Sequence, residues 1–134
     1  MKAMILAAGM GRRLAPLTNQ TPKPLLPIAG EPLLVRQIRQ LSQAGYNDIV
    51  INLHHLGVQI ETTLGDGSAL GVNIKYSHED MLLDTGGGIV KALPMLGNTP
   101  FVVLNGDILT DFNFTDLPPA FAADTLGHLV VTGK

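Results

Sequence analysis

The sequence predicts an α/β fold, a mostly parallel sheet covered by helices on both faces. Three features of the chain predict it. Short apolar runs alternate with segments of helical period, the pattern of strands joined by crossover helices. The first of those runs opens directly into a glycine-rich loop, Ala7-Ala8-Gly9-Met10-Gly11. The run Phe101-Val102-Val103-Leu104 is apolar at every position, as in a strand buried on two sides.

Each element follows from local pattern. Lys2 to Leu6 reads as a short buried strand closed by Ala7-Ala8-Gly9. From Gly9 to Pro32 no helical period is sustained, and Pro16, Pro22, Pro24, Pro27 and Pro32 restrict regular structure. A connection that long inside one domain is uncommon unless it is functional. Leu34, Ile38 and Leu41 recur at the spacing of an amphipathic helix, with Gly45 as its stop. Residues 48–52 form a second strand, and 58–64 a short helix with Ile60 and Leu64 on one face. Gly65-Asp66-Gly67-Ser68 is a turn by composition. Residues 72–77 form a third strand, whose Asn73, Lys75, Ser77 alternation predicts a half-exposed edge. Residues 85–93 form a helix opening on three glycines. Residues 101–104 form a fourth strand, expected at the centre of the sheet because it is apolar throughout, and Leu129-Val130-Val131 a fifth. No repeat, low-complexity tract or linker interrupts the pattern, so residues 1–134 read as one domain.

Composition and charge narrow the function classes. The absence of cysteine excludes a disulfide scaffold, a thiolate metal site and a cysteine nucleophile. No apolar run approaches the ~20 residues of a membrane span, and the apolar start is about half a signal peptide long, so the cytoplasm is the expected compartment. Residues 1–30 carry Lys2, Arg12, Arg13 and Lys23 and no acid, a net +4, whereas residues 31–134 sum to −6. A small basic loop on an acidic chain suits a compact anion such as a phosphate group. It does not suit nucleic acid, which needs a broad basic face and, for single strands, stacking platforms that a Trp-free chain with two Tyr and four Phe lacks.

The basic residues stand in a defined constellation. Gly9 and Gly11 let backbone amides approach a phosphate without Cβ interference. Arg13 offers a planar fork and Lys23 a point charge, suited to different phosphate oxygens. The loop is not a P-loop, because no Gly-Lys-Ser/Thr follows at the required spacing. Nor is it a dinucleotide fingerprint, because Leu14 stands where a third glycine or alanine belongs, which disfavours an oxidoreductase. Asp107 follows an apolar strand and is expected at the carboxyl edge of the sheet, where ligands of open parallel sheets bind. A lone carboxylate with phosphate oxygens and water is a typical Mg²⁺ environment. Thr85-Gly86-Gly87-Gly88 is either an anion site made of free helix amides or a tight strand-to-helix turn. His54 and His55 diverge and show no third ligand, so a loop or helix-start role is expected of them.

The run Leu6-Ala7-Ala8-Gly9-Met10-Gly11-Arg12-Arg13-Leu14-Ala15-Pro16-Leu17-Thr18, followed by Pro22-Lys23-Pro24-Leu25-Leu26-Pro27, resembles the signature of the sugar-1-phosphate nucleotidyltransferases (nucleotide-sugar pyrophosphorylases). Gly30-Glu31-Pro32-Leu33, Glu79 ahead of Thr85-Gly86-Gly87-Gly88, and Asn105-Gly106-Asp107 agree in order. The resemblance implies a three-layer, Rossmann-like (GT-A-like) nucleotidyltransferase fold, of which this chain would be the N-terminal portion. It implies transfer of NMP from a nucleoside triphosphate to a sugar-1-phosphate, with Mg²⁺ as cofactor and pyrophosphate released. By position it implies that Ala7, Ala8, Gly9, Gly11, Arg12 and Arg13 wrap the triphosphate and that Arg13 and Lys23 are catalytic, Lys23 lying at the α-phosphate. Ala8, Glu79 and Gly88 fall where the family reads the base, Asn105 would face the sugar, and Asp107 would bind the metal. Val50-Ile51-Asn52, Gly65-Asp66-Gly67-Ser68, Tyr76-Ser77 and Thr85-Gly86-Gly87-Gly88-Ile89 point to a branch that uses UTP, in peptidoglycan recycling. The family's second metal-binding Asp falls beyond residue 134, and Asp111, Asp116 and Asp124 are not at matching positions. Mannose- or glucose-1-phosphate with GTP or dTTP, a silent nucleotide-binding module, and a homo-oligomer that completes the site all stay open at this point.

Overall fold

The computed structural model describes residues 1–133. In chain order its elements are β1 (Lys2–Leu6), β2 (Pro27–Ile28), β3 (Glu31–Pro32), α1 (Leu33–Gln43), β4 (Asp48–Leu53), α2 (Gly57–Leu64), β5 (Asn73–His78), α3 (Asp84–Leu96) and β6 (Phe101–Asn105). Four strands make one sheet in the order β5-β4-β1-β6, with every neighbouring pair parallel. Parallel neighbours need crossover connections, and α1, α2 and α3 provide them. The first two crossovers step outward from β1 to β4 to β5, and the third returns across the sheet to β6. Right-handed crossovers taken in opposite directions leave their helices on opposite faces.

The alternation of side chains along the strands builds the three layers. Ala3 and Ile5 of β1, Ile49, Ile51 and Leu53 of β4, and Ile74 of β5 pack with Leu34, Ile38 and Leu41 of α1 and Ile60 and Leu64 of α2. Met4 and Val50, one residue out of phase, pack on the other face with Ala92 and Leu96 of α3. By the same period of two, Asn52 shares the α3 face with Val50. In register it aligns with Leu6 of β1 and Ser77 of β5, and Leu6 aligns with Asn105 of β6. One row across the sheet is therefore largely polar where its neighbours are apolar.

Several expectations are met and four are corrected. β1, β4 and β5 form as read, and β5 is an edge strand with Asn73 and Lys75 exposed. Ser77, expected to be exposed with them, is buried. β6 is at the opposite edge rather than at the centre, which belongs to β1 and β4. Its apolar sequence reports contact with both helix layers, through Val102 and Leu104 on one side and Phe101 on the other, while Val103 stays 38% exposed. The fifth strand does not form. Leu129, Val130 and Val131 are exposed and pair with no strand among the described residues. A strand is a pairing, and β-propensity without a partner edge does not produce one. The helix read as 85–93 runs to Leu96 through Pro94, because Leu96 is buried against the sheet. Among the described residues no helix is long and apolar enough to cross a membrane.

The stretch from Gly9 to Pro32 is irregular, as expected. It consists of 3-10 turns at Arg12–Leu14, Leu17–Asn19 and Lys23–Leu25, closed by the short antiparallel β2–β3 hairpin.

The two sides of α2 separate core from surface energetics. Ile60→Ala, at a site with no exposed surface, is expected to lower the unfolding free energy by about 2–5 kcal/mol. Val58→Ala, on the same helix at 79% exposure, is expected to change it by less than about 0.5 kcal/mol. Urea denaturation followed by circular dichroism measures both.

Candidate active site

The carboxyl ends of β1, β4 and β6 open onto a cavity of about 590 Å³. It lies where the chain's direction across the sheet reverses, between β1 and β6, the position at which open α/β sheets bind ligands. Ala7, Ala8, Gly9, Gly11, Arg12 and Arg13 form one wall. Lys23, Asn105 and Asp107 form another, and Leu82, Asp84 and Thr85 at the start of α3 form a third.

The glycine loop has a definite shape. Gly11 adopts φ 64°, a conformation that costs glycine little. A Cβ there would lie 2.8 Å from Thr18 Cγ2. Thr18 is buried, and its hydroxyl donates to the Gly11 carbonyl at 2.7 Å. His55 Nε2 donates in turn to the Thr18 carbonyl at 2.8 Å, and Gln59 of α2 donates to the Gln20 carbonyl at 2.6 Å. His54 Nδ1 donates to the Glu79 carbonyl at 2.8 Å. Both histidines are thus engaged with backbone, as loop and helix-start residues. Within this frame Arg12 and Arg13 are exposed and line the cavity.

Lys23 reaches the same cavity from the third 3-10 turn, anchored by buried Pro24 and Leu25. Its Nζ lies 2.6 Å from Asp107 Oδ2, with the two side chains 30% and 40% exposed. Asp107 stands just past β6 on a turn tied at both ends. Gly106 N–H donates to the Leu6 carbonyl at 2.8 Å, and a Cβ on Gly106 would come within 2.9 Å of that oxygen. Beneath the turn, Gln37 of α1 donates from Nε2 to the carbonyls of Asn105 and Ile108, both at 2.8 Å.

Asn52, which the sequence reading did not single out as a site residue, organises the floor. Its Oδ1 accepts from Ala7 N–H at 2.7 Å, where the glycine loop leaves β1. Its Nδ2 donates to Glu79 Oε1 at 2.9 Å, and Glu79 Oε2 accepts from Leu83 N–H at 3.1 Å, at the start of α3. Glu79 is 4% exposed, so its carboxylate is buried but hydrogen-bonded through both oxygens. Gly88 closes over this pair, and a Cβ there would lie 2.7 Å from Glu79 Oε1 and 2.8 Å from Asn52 Nδ2.

The structure therefore brings together most of the residues the motifs nominate. Ala7, Ala8, Gly9, Gly11, Arg12, Arg13, Lys23, Asn105 and Asp107 share one cavity. Glu79 and Gly88 touch each other behind Asn52 and do not line it. The triple glycine serves close packing at Gly88 and at Gly87, where a Cβ would lie 2.9 Å from Leu83 Cβ. Asn52 had one signal in the sequence, a lone amide inside the apolar run Ile49-Val50-Ile51-Asn52-Leu53. Among the described residues no three His, Asp or Glu side chains gather closely enough to hold a metal ion by themselves.

Chemically, the cavity can take an anion of several charges. Arg12, Arg13 and Lys23 supply fixed positive charge, and free backbone amides in the glycine loop supply donors. A family profile described as nucleotidyl transferase matches residues 2–133. The chain belongs to the nucleotidyl transferase family. It is 61% identical over 116 residues to the N-acetylmuramate alpha-1-phosphate uridylyltransferase of Neisseria meningitidis serogroup B, covering 86% of this chain and 50% of that one. It is 39% identical to the mannose-1-phosphate guanylyltransferase of Mycobacterium tuberculosis, covering 86% of this chain and 32% of the relative. Its fold superposes with TM-score 0.80, at 32% identity, on a crystal structure of a Bacillus anthracis protein assigned as a glucose-1-phosphate thymidylyltransferase, covering 86% of this chain and 47% of that one. The chain thus spans about half the length of the first relative and about a third of the second.

The Asn52 clamp is testable through stability. Gly88→Ala is expected to cost about 1–3 kcal/mol by overpacking a buried pair. Asn52→Ala is expected to cost about 1–3 kcal/mol by orphaning Ala7 N–H and one Glu79 oxygen. Chemical denaturation of both variants checks the expectation, and wild-type stability in either would remove the clamp's importance.

Proposed function

We propose that residues 1–134 form the nucleotide-binding portion of a sugar-1-phosphate nucleotidyltransferase. The reaction is transfer of a nucleoside monophosphate from a triphosphate to a sugar-1-phosphate, giving a nucleotide sugar and pyrophosphate. The observation that carries this reading is the convergence of the glycine loop, Arg13 and the Lys23–Asp107 pair on one cavity at the topological switch point. UTP is the favoured donor and N-acetylmuramate-1-phosphate the favoured acceptor, on the strength of the 61% identical uridylyltransferase. A guanylyl- or thymidylyl-transferring enzyme acting on a hexose-1-phosphate is the alternative that the other relatives support.

The mechanism follows from the parts. A sugar phosphate oxygen attacks the α-phosphorus in line, a new P–O bond forms, and the bond to the β-phosphate oxygen breaks as pyrophosphate leaves. The attacking phosphate is already ionised at neutral pH, so no protein nucleophile is required. Positioning and charge neutralisation supply the rate. The amides of Gly9 and Gly11 cradle the triphosphate, Arg13 holds its outer phosphates, and Lys23 faces the α-phosphate, where charge develops. Asn105, which lines the same wall as Asp107, would meet the sugar.

The donor set fits Mg²⁺ brought in with the triphosphate. Mg²⁺ is usually held by one or two carboxylates plus substrate phosphates, and Asp107 is a partly exposed carboxylate in the cavity wall with one oxygen outside the Lys23 bond. Bound there, it would neutralise phosphate charge. A nucleotide-binding module without turnover is the second reading: among the described residues no three His, Asp or Glu side chains gather to hold a metal ion by themselves.

Pyrophosphate release, assayed with Mg²⁺ across UTP, GTP and dTTP and several sugar phosphates, tests the proposal. Turnover is expected with one pair. Triphosphate binding without release would select the silent module, and no binding would remove both readings. Lys23→Ala is expected to cut turnover about 10²–10³-fold with the fold retained. Near-normal turnover in that variant would sink its assigned role.

A further inference from the structure

Gln37 is the one polar side chain in the buried stripe of α1, alongside Leu33, Leu34, Ile38 and Leu41. It is 1% exposed. A side chain at that position that served packing alone would be apolar, because a buried amide must find partners for all its polar atoms. Gln37 finds them for only one side of its amide. Nε2 donates to the carbonyls of Asn105 and Ile108, both at 2.8 Å, while Oε1 is buried with no partner among the described residues. Rotating the amide would set its oxygen against two carbonyl oxygens, so the orientation is fixed by the two acceptors. Buried polar atoms left unsatisfied are uncommon and call for a reason.

The two accepting carbonyls bracket Gly106 and Asp107. One belongs to the last residue of β6 and the other to the residue after Asp107. A single buried donor thus staples both sides of the turn that carries the carboxylate. Gly106 N–H, bonded to the Leu6 carbonyl, fixes the same turn from the β1 side. Among the described residues the turn's own side chains make no bond apart from the Lys23–Asp107 pair, which is partly exposed. An exposed pair of that kind is weak and cannot hold a backbone in place.

We propose that Gln37 is a positioning residue that fixes the Asn105–Ile108 turn and so holds the Asp107 carboxylate in the cavity wall, where a divalent cation carried by the triphosphate would meet it. The inference rests on the nucleotide-binding reading above and deepens it by naming what sets the geometry of its acidic wall. Gln40, one turn further along α1, donates to the Thr110 carbonyl at 2.9 Å and supports the same segment beyond the turn. It brackets no site residue and serves as the control.

Calorimetric titration of the full chain with UTP, in excess Mg²⁺ and separately in EDTA, tests this. Gln37→Leu is expected to weaken UTP binding in Mg²⁺ about tenfold, the scale seen when a group supporting a metal ligand is removed. In EDTA the same variant is expected to stay within about twofold of wild type, and Gln40→Leu within about twofold in both conditions, because neither comparison removes support from a metal ligand. In an Asp107→Ala background Gln37→Leu should change neither affinity, because its effect passes through Asp107. Gln37→Met carries the same test should Gln37→Leu fail to fold. Equal losses with and without Mg²⁺, an unchanged variant, or an additive effect in the Asp107→Ala background would overturn the positioning role while leaving nucleotide binding standing. A wild-type chain that binds no UTP in either condition would overturn the nucleotide-binding reading and this role together.

Discussion

One buried amide holds the functional end of the molecule together. Asn52 occupies a strand position that its neighbours fill with valine and isoleucine, on the sheet face that packs against α3. Its oxygen takes the Ala7 N–H, the first donor that β1 releases beyond its own ladder. Its nitrogen meets Glu79, whose other oxygen takes a backbone N–H at the start of α3. Three segments far apart in sequence are joined by hydrogen bonds, two of them buried and the third partly so. In such surroundings a satisfied bond is firm, and a missing partner is costly. The glycine of α3 at position 88 is a consequence, since only a residue without a side chain lets the helix close on the pair.

The same economy of position governs the rest of the site. Parallel strands send their carboxyl ends to one edge, so β1, β4 and β6 deliver a glycine loop, an amide and an acidic turn to neighbouring places without any of them adopting unusual structure. The reversal of direction between β1 and β6 leaves a crevice there that no crossover covers. The long irregular stretch after Gly9 then folds back over the edge. It is held by Thr18 and His55, and it places Lys23 opposite Asp107. A loop of that length is ordered here by side-chain bonds to backbone, which is where its turn-rich, proline-rich composition leads.

Much of this was legible in the sequence, for reasons that differ by residue. Apolar patterning exposed β1, α1, β4, α2, β5 and α3, because each buries apolar side chains in one or both of the two core clusters. The glycine loop and Lys23 were legible because their motif is local. Strand order was not, since an apolar run such as Phe101-Val102-Val103-Leu104 reports burial by helices as readily as burial between strands. Leu129-Val130-Val131 has strand composition, yet pairing is a long-range property that composition does not encode. Glu79 was read as a base-recognition residue by its place before the glycines, and its bond to Asn52 behind the cavity wall was not legible there. Asn52 entered only as the end of the stretch Val50-Ile51-Asn52 and Gln37 not at all, and their roles exist only through bonds spanning from 27 to 71 residues of chain.

The Lys23–Asp107 pair shows why the site's charges belong to chemistry rather than to folding. At 2.6 Å the contact is close, but with 30% and 40% of the two side chains exposed it contributes only about 0–1 kcal/mol to stability. The turns that bring the two side chains together are built by other means: buried Pro24 and Leu25 on one side, the Gly106–Leu6 bond and the Gln37 amide on the other. The backbone thus fixes two opposite charges that repay it with little. Such a weak pair is readily parted, and under the proposed reading a phosphate would meet the lysine and a cation the carboxylate. The lysine and the aspartate neutralise each other across the cavity wall, and under the proposed reading a metal-bearing triphosphate replaces both halves of that contact at once.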